Sequence, residues 1–195
     1  MRCFRGLALA MMAATAATTS MAALAETTAD DARSGVHDFD FEIGEWRVRH
    51  RTKPPMAEKW AVEFEGTCVT RSLMNGAGNI EEHTFHRPAG ISYGLALRTY
   101  DATKRQWAIW WVDSRNPHLP MDPPMIGRFE NGIGTFYSDT QMDGKPARVR
   151  FIWSGISATT AHWQQAFSLD DGKSWHVNWE MSFVRTNVGA PPSGS

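Results

Sequence analysis

The sequence predicts an all-β protein, an antiparallel up-and-down β-barrel of about 8–10 strands. Three observations support this prediction. Apolar and polar side chains alternate with a period of two from Trp46 onward, as is typical of half-buried strands. Clusters of Gly, Pro, Asn and Asp interrupt the alternation at short intervals and indicate tight turns. No segment of this region shows the sustained apolar stripe of an amphipathic helix, so strands that follow each other in sequence are expected to pair as hairpins.

Turn residues divide the chain into ten predicted strands. The turns include "DATK" after "LALRTY", "ENG" before "IGTFY", "DG" before "KPARVRF" and "DDG" before "KSWHVNW". The segment 117–125 holds four prolines, which cannot donate to a strand ladder, and it is predicted to be a loop across one mouth of the barrel. The strands are expected near residues 45–52, 59–72, 79–87, 91–100, 106–113, 124–130, 133–138, 147–154, 160–169 and 174–185.

The first and last strands are expected to pair, because closure of the barrel removes exposed strand edges. Arg185 ends the last strand and is an even number of residues from Trp179 and Phe183, so the three side chains share one face of the strand. If the two rings point into the barrel, Arg185 is expected to point inward as well. A tryptophan face can cover such a cation with an attraction of about 1 kcal/mol. Gly44, Trp46 and Arg185 are therefore predicted to close one end of the barrel.

The amino terminus has the pattern of a secretory signal peptide. Arg2 and Arg5 precede an uncharged, largely apolar run that ends in Ala-Leu-Ala at Ala25. We expect a bacterial Sec-type signal over residues 1–25, cleaved after Ala25, and a periplasmic or secreted protein. Residues 26–36 have the composition of a flexible linker, residues 37–186 are expected to form one barrel domain, and residues 187–195 a disordered tail.

Composition argues against several kinds of partner. Loss of the signal peptide removes two arginines, which leaves 18 basic against 21 acidic side chains, a net charge of −3, so no nucleic acid is expected. The polar stretch after the signal favours cleavage over anchoring, and no stable membrane insertion is expected. Cys3 leaves with the signal and Cys68 remains alone, which excludes an internal disulfide. The oligomeric state stays open.

Three stretches carry a resemblance to known proteins. "FDFEIGEWRV", "LRTYDATKRQWAIWWVD" and "WQQAFSLDDGKSWHVNWEMSFVR" are similar to the bacterial family of unknown function DUF1579. The Gly-x-Trp start, the hairpin series and the closing arginine resemble the calycin and lipocalin group of ligand-binding barrels. The similarity covers most of residues 37–185. It implies a barrel with an internal pocket, but no agreed activity and no catalytic residues.

Strand phase predicts where a ligand would bind. A small hydrophobic or aromatic molecule is the expected ligand, held under the loop of residues 117–125 by large rings and a few polar side chains. Polar groups that point inward must be paired or must serve a ligand. The predicted wall consists of Tyr93, Trp111, Trp163 and Trp179, and the predicted polar contacts are His50, Asp113 and Gln165.

The strand near residues 79–87 carries a carboxylate and a histidine on each face. One phase turns Glu82 and His86 inward, and the other turns Glu81 and His83 inward. A neighbouring carboxylate fixes the tautomer of a histidine and raises its pKa, which suits proton transfer. Glu82 and His86 are the candidate catalytic pair, Glu81 and His83 are the alternative, and either pair on the exterior would be a solvent-exposed couple.

No metal or other cofactor is predicted. A zinc or iron site needs three or four converging ligands, which would require His50 to join the Glu/His pair. The sequence has no HExxH motif and no cysteine pair. Cys68 is predicted to be an unreactive residue that packs inside a strand.

Three functions remain open: a binder of a small hydrophobic molecule, an enzyme (lyase, isomerase or hydrolase) on the same barrel, or an envelope interaction module with a packed interior. A cavity of about 300 Å³ or more favours the first two, and a solid interior leaves the third. An enzyme of this kind needs a Glu and a His that face the cavity within hydrogen-bond reach of each other.

Overall fold

Ten antiparallel strands close into a barrel in the computed structural model, which describes residues 35–118 and 120–186. Each strand pairs with its sequence neighbours, and β1 pairs with β10. The predicted all-β up-and-down barrel is confirmed. The strands are β1 (Gly44–Thr52), β2 (Val62–Leu73), β3 (Gly78–Arg87), β4 (Gly90–Asp101), β5 (Gln106–Asp113), β6 (Met125–Glu130), β7 (Ile133–Met142), β8 (Lys145–Ser154), β9 (Thr160–Ser168) and β10 (His176–Arg185).

Helical structure in the described ranges is confined to two 3₁₀ turns, Asp40–Glu42 and Met74–Gly76. No helix in this part of the chain has the length and apolar character needed to cross a membrane. The predicted signal peptide, nearly all of the predicted linker and the predicted tail lie outside the described residues. The described end of that linker contacts the barrel, because Trp107 Nε1 donates to the carbonyl of Gly35 at 2.9 Å.

The hairpin turns explain why the strands stay in register. Asn131-Gly132 and Asp143-Gly144 each have positive φ at both residues, the conformation of the two-residue turn whose twist matches that of paired strands. Asn, Asp and Gly adopt this conformation at the lowest cost. These turns therefore set the pairing of β6 with β7 and of β7 with β8.

Trp46 and Arg185 meet at one end of the barrel, as the sequence predicts. The two residues are paired in the β1–β10 register, and the Arg185 guanidinium carbon lies 4.1 Å from the centroid of the Trp46 ring. The guanidinium also donates to the carbonyls of Phe41, Ile43 (2.7 Å) and Ala158 (2.8 Å). Gly44 has φ +120°, and a Cβ there would lie 2.6 Å from Arg185 Nη1, so only glycine fits this position.

The segment before β1 seals the same end. Phe39 is 1% exposed, and its ring packs edge-on against Trp107, Phe129 and Trp153 at centroid distances of 5.1, 4.9 and 6.0 Å. This end of the barrel is filled by side chains, so access to the interior has to come from the other end or from a gap between strands.

The inward face of β4 differs from the prediction. Alternation of the large apolar residues places Tyr93 inside, but Tyr93 is 56% exposed on the outer surface. The Trp111 ring from β5 occupies the space above Gly94, where a Cβ would lie 2.3 Å from Trp111 Cη2. Small residues on β4 therefore make room for a large ring from its neighbour. The buried face of β4 consists of Ser92, Gly94, Ala96 and Arg98.

Candidate functional site

The barrel encloses a cavity of about 190 Å³ on the side of β5 and β6. These two strands pair only over Trp107–Ile109 and Met125–Gly127, so they separate beyond that point and leave room beside Trp111. Asp122 and Pro123 from the loop of residues 117–125 line the cavity there, in agreement with the predicted loop across a mouth. The aromatic residues of the cavity wall are Trp111, Phe151, Trp153, Trp163, Phe167 and Trp179.

Four of the residues predicted to bind a ligand come together in this cavity. Trp111, Trp163, Gln165 and Trp179 all line it. Trp163 and Trp179 meet edge to face with a centroid distance of 5.8 Å and an interplanar angle of 88°, which favours a rigid wall. Their role in binding stays a prediction.

A β-bulge supports one polar group of the cavity wall. The register of β9 and β10 shifts between Val177 and Trp179, and the intervening Asn178 is buried. Its Oδ1 accepts a hydrogen bond of 3.2 Å from Gln165 Nε2. This contact holds the Gln165 amide in place at the cavity.

Three predicted binding residues lie elsewhere. Tyr93 is on the outer surface, as described above. His50 is fully buried but lies outside the cavity lining: its ring stacks on Phe64 at 4.5 Å, and its Nδ1 accepts from Trp179 Nε1 at 3.2 Å. Asp113 is at the rim, also outside the lining, in an ion pair of 2.5 Å with Arg115.

His50 acts as a neutral packing group. Burial, reinforced by the nearby His83 and Arg87, lowers the pKa of His50 to about 3. A neutral imidazole has one ring nitrogen that can accept a hydrogen bond, and here His50 Nδ1 accepts one from the indole N–H of Trp179. His50 therefore positions Trp179, one of the cavity walls, from behind.

The burial pattern of β3 shows which Glu/His pair lies inside the barrel. Glu82 and His86 are exposed, and Glu82 forms an ion pair with the exposed Arg71. Of the two phases that the sequence left open, the one that turns Glu82 and His86 inward is therefore not adopted, and this candidate catalytic pair lies on the outer surface. The alternative pair is inside: Glu81 and His83 are each 2% exposed, both line the cavity, and Glu81 Oε1 lies 2.5 Å from His83 Nε2.

A buried arginine, which sequence reasoning missed, completes this site. Arg98 is 2% exposed, and its Nη1 lies 2.5 Å from Glu42 Oε2 and 3.0 Å from Asn79 Oδ1. Its Nη2 donates to Glu81. Glu42, Glu81, His83 and Arg98 are called the charged cluster below. Arg98 alternates in phase with Gly94 and Ala96, so it lies on the same face of β4. This relation predicts burial of Arg98 only once that face is known to point inward.

The pKa values of the two carboxylates in the charged cluster are shifted in opposite directions. Burial raises the pKa of Glu42 well above its ordinary value, and Arg98 only partly opposes this effect. Burial also acts to raise the pKa of Glu81, but Arg98 and His83 outweigh it and hold that pKa below its ordinary value. The environment therefore favours the ionised form of Glu81 beside Arg98 and the protonated form of Glu42.

Cys68 lies beside the charged cluster. Its Sγ donates to Glu81 Oε1 at 3.2 Å and lies 3.6 Å from Thr70 Oγ1. Burial and the neighbouring carboxylates raise the pKa of the Cys68 thiol well above its ordinary value. The ligand atoms of Cys68, Glu81 and His83 all lie within 4.8 Å of one another. The sequence analysis considered His50 as a further metal ligand. Its ring centroid lies 6.3 Å from that of His83, and its Nδ1 already accepts a hydrogen bond from Trp179.

The fold and the cavity together define a lipocalin-like β-barrel protein. The chain belongs to the family described as protein of unknown function (DUF1579), which matches residues 39–185. A comparison with curated proteins found no match.

Solved structures with low sequence identity share the barrel. Rv2717c from M. tuberculosis is 9% identical, with 78% of this chain and 97% of that chain covered and a TM-score of 0.53. The S-type phycobiliprotein lyase CPES from Guillardia theta is 10% identical, with 83% and 98% covered and a TM-score of 0.52. A de novo designed fluorescence-activating β-barrel is 12% identical, with 75% and 95% covered and a TM-score of 0.41. The first two likenesses concern the fold alone, and nothing is argued from the third.

Proposed function

We propose that this protein is an exported barrel that binds a small aromatic or hydrophobic molecule in its internal cavity. The observation that carries the proposal is the cavity of about 190 Å³ between Trp111, Trp163 and Trp179, with polar side chains at one end. A mostly apolar pocket with a few placed polar groups is the usual form of a small-molecule site.

The size of the cavity limits the ligand. Its volume of about 190 Å³ is smaller than the 300 Å³ or so that the sequence analysis expected for a binder or an enzyme, but larger than the roughly 150 Å³ that encloses a benzene molecule. The ligand is therefore a single-ring molecule, or a larger one that puts one ring inside. The rest of a larger molecule would leave between Asp122 and Thr140, which line the cavity at its mouth.

The polar end of the cavity supports a substituted ring over a plain hydrocarbon. His83 Nδ1 is buried and has no hydrogen-bond partner among the described residues. An unpaired buried polar group costs about 1–3 kcal/mol, and a ligand hydroxyl or carbonyl would remove this cost. A phenol-like molecule suits both the aromatic wall and this polar end.

The test is binding of 4-fluorophenol, followed by its ¹⁹F NMR signal, to the protein and to two matched variants. Ala96 is buried and lines the cavity, so Ala96→Leu fills space that the ring needs. Ala108 on β5 is half-buried outside the cavity lining, and Ala108→Leu is the control. We expect a shifted, broadened signal with the wild type and Ala108→Leu, and a loss of at least tenfold in affinity with Ala96→Leu. Equal binding by all three proteins would refute the cavity as the site.

Export is part of the proposal and rests on residues 1–25, which have the pattern of a signal peptide. Amino-terminal sequencing of the protein from the periplasmic fraction or the medium of its host is expected to begin at Glu26. A chain recovered from the cytosol with residues 1–25 intact would contradict export without affecting the binding proposal.

Proton transfer is the second candidate function, because Glu81 and His83 both line the cavity within 2.5 Å of each other. In this function Glu81 orients the imidazole, and His83 takes a proton from a carbon acid bound beside it. Exchange of deuterium from D₂O into phenylacetone, followed by ¹H NMR, is expected to accelerate with wild type and to fall to the background rate with His83→Gln. Acceleration that survives His83→Gln would exclude this pair as the base.

A further inference from the structure

We propose that Cys68, Glu81 and His83 form a binding site for one divalent transition-metal ion, best matched by zinc, at the inner end of the cavity. The site concerns an ion alone, and its occupation does not depend on the aromatic ligand proposed above.

Three ligand atoms of different chemistry converge at this point. Glu81 Oε1 lies 2.5 Å from His83 Nε2 and 3.2 Å from Cys68 Sγ, and the three atoms fall within 4.8 Å of one another. Tetrahedral zinc with ordinary bond lengths separates N and O ligands by roughly 3.3 Å. The His83 and Glu81 atoms therefore have to move apart by about 0.8 Å to admit the ion, a change that side-chain rotation can supply.

The barrel holds the ligands on a rigid frame. Cys68 on β2 and His83 on β3 are directly opposite each other in the register of these strands, and Glu81 is two residues from His83 on the same face. Adjacent side chains on one face of a sheet keep their spacing, so the three ligands are positioned before any ion arrives.

Arg98 binds one carboxylate oxygen of Glu81 and leaves the other, Oε1, available to an ion. Arg98 Nη2 donates to Glu81 Oε2, and Arg98 is itself held by Glu42 and Asn79. Oε1 is thus the oxygen directed at Cys68 and His83. A ligand carboxylate fixed by a second hydrogen-bonded group is the arrangement that tunes protein metal sites.

An independent observation points to a missing partner at His83. Its side chain is 1% exposed, yet neither ring nitrogen has a partner in hydrogen-bond geometry within the described residues. Nε2 has the contact with Glu81 Oε1, which lies outside hydrogen-bond geometry, and Nδ1 has no hydrogen-bond partner among the described residues. A metal ion bound to Nε2 would supply this partner.

The donor set and the local charges select the ion. Thiolate, imidazole and carboxylate together suit zinc and its neighbours, whereas magnesium and calcium prefer oxygen ligands. Binding releases the thiol proton of Cys68, so that a thiolate and the Glu81 carboxylate would both face the dication, with Arg98 on the other oxygen of Glu81. Because three protein ligands leave a fourth position, and Glu81 and His83 line the cavity, water or a bound molecule would take that position.

The test adds Co²⁺ to the metal-free protein and records its absorption spectrum, without any aromatic ligand present. We expect one equivalent of Co²⁺ to give the visible bands of a tetrahedral ion and a near-ultraviolet band from the Cys68 thiolate, both removed by one equivalent of Zn²⁺. Cys68→Ser is expected to lose the near-ultraviolet band, and His83→Gln to weaken Co²⁺ binding at least tenfold.

The matched control is Glu82→Gln/His86→Gln, which changes the same residue types on the outer face of β3 and is expected to bind Co²⁺ like the wild type. Near-ultraviolet circular dichroism checks the fold of each variant. Absence of both bands in the wild type, or their persistence in a folded His83→Gln variant, would overturn the metal site. Neither result would affect the proposed binding of 4-fluorophenol in the cavity of the wild-type protein, which is tested separately.

Discussion

Replacement of Arg98 by methionine is the sharpest test of the charged cluster. Arg98 is 2% exposed and contacts Glu42, Glu81 and Asn79. Arg98→Met keeps a long apolar stem but removes the cation, so the ionised Glu81 is left buried without its partner. Removal of one partner from a buried ion pair typically costs about 3–5 kcal/mol.

The size of the expected effect follows from this figure. In a domain of this length, 1 kcal/mol shifts Tm by roughly 2–4 °C, so Arg98→Met is expected to lower Tm by roughly 10 °C. Arg71→Met is the matched control, because Arg71 and Glu82 form an ion pair on the outer surface with 59% and 50% of their side chains exposed. Exposed pairs contribute about 0–1 kcal/mol, so this control should shift Tm little.

The assay is thermal and urea unfolding at pH 7, monitored by circular dichroism. A double variant, Arg98→Met with Glu81→Gln, removes the buried anion as well and is expected to recover part of the lost stability, since the two residues interact directly. If Arg98→Met costs no more than Arg71→Met, or if Glu81→Gln adds its full cost on top, the cluster does not hold a buried charge pair.

Three further changes test other parts of the structure. Above pH 4.5 the unfolded chain loses the Glu42 proton, whereas burial raises the pKa of Glu42 in the folded chain, so the folded chain keeps this proton to higher pH and wild-type stability falls with rising pH through this group. The Tm of Glu42→Gln relative to wild type should therefore rise between pH 5 and pH 8, and a constant difference would contradict the assignment. Arg185→Met removes the cation over Trp46 and three hydrogen bonds to carbonyls, and should cost about 2 kcal/mol or more in urea unfolding; Arg185→Lys, which lacks the planar fork, should recover only part of it. Gly94→Ala puts a Cβ 2.3 Å from Trp111, which should cost about 1–3 kcal/mol and change the near-ultraviolet circular dichroism, whereas an unchanged spectrum would mean that Trp111 is not packed there.

Strand positions and barrel closure were readable from the sequence because each depends on local signals. Turns such as Asn131-Gly132 require residues that tolerate positive φ, and these residues mark strand ends whatever the interior contains. The contact of Trp46 with Arg185 follows from closure and from the parity of β10 near its end.

The inward face of β4 was not readable in this way. Tyr93 is larger and more apolar than Gly94, so an argument from one strand puts Tyr93 inside. The interior instead takes Gly94 because the Trp111 ring from β5 fills that space. Packing of this kind depends on pairs of side chains from neighbouring strands, and such pairs are known only once the register is fixed.

The charged cluster was hidden for a related reason. Arg98 and Glu42 look like surface residues in the sequence, because isolated charges are rarely buried. Arg98 is buried because both Glu42 and Glu81 contact its guanidinium, and Glu42 enters from a 3₁₀ turn ahead of β1. The two possible phases of β3 gave the pair Glu81 and His83 as one of two alternatives, and burial selects that one.

The most direct test of the proposed function locates the ligand inside the barrel. Met125 and Met181 line the cavity, whereas Met74 is 67% exposed in the turn between β2 and β3. In protein labelled with ¹³C at its methionine methyl groups, 4-fluorophenol is expected to give intermolecular nuclear Overhauser effects to Met125 and Met181 and none to Met74. Binding of 4-fluorophenol without contacts to Met125 or Met181 would contradict the account.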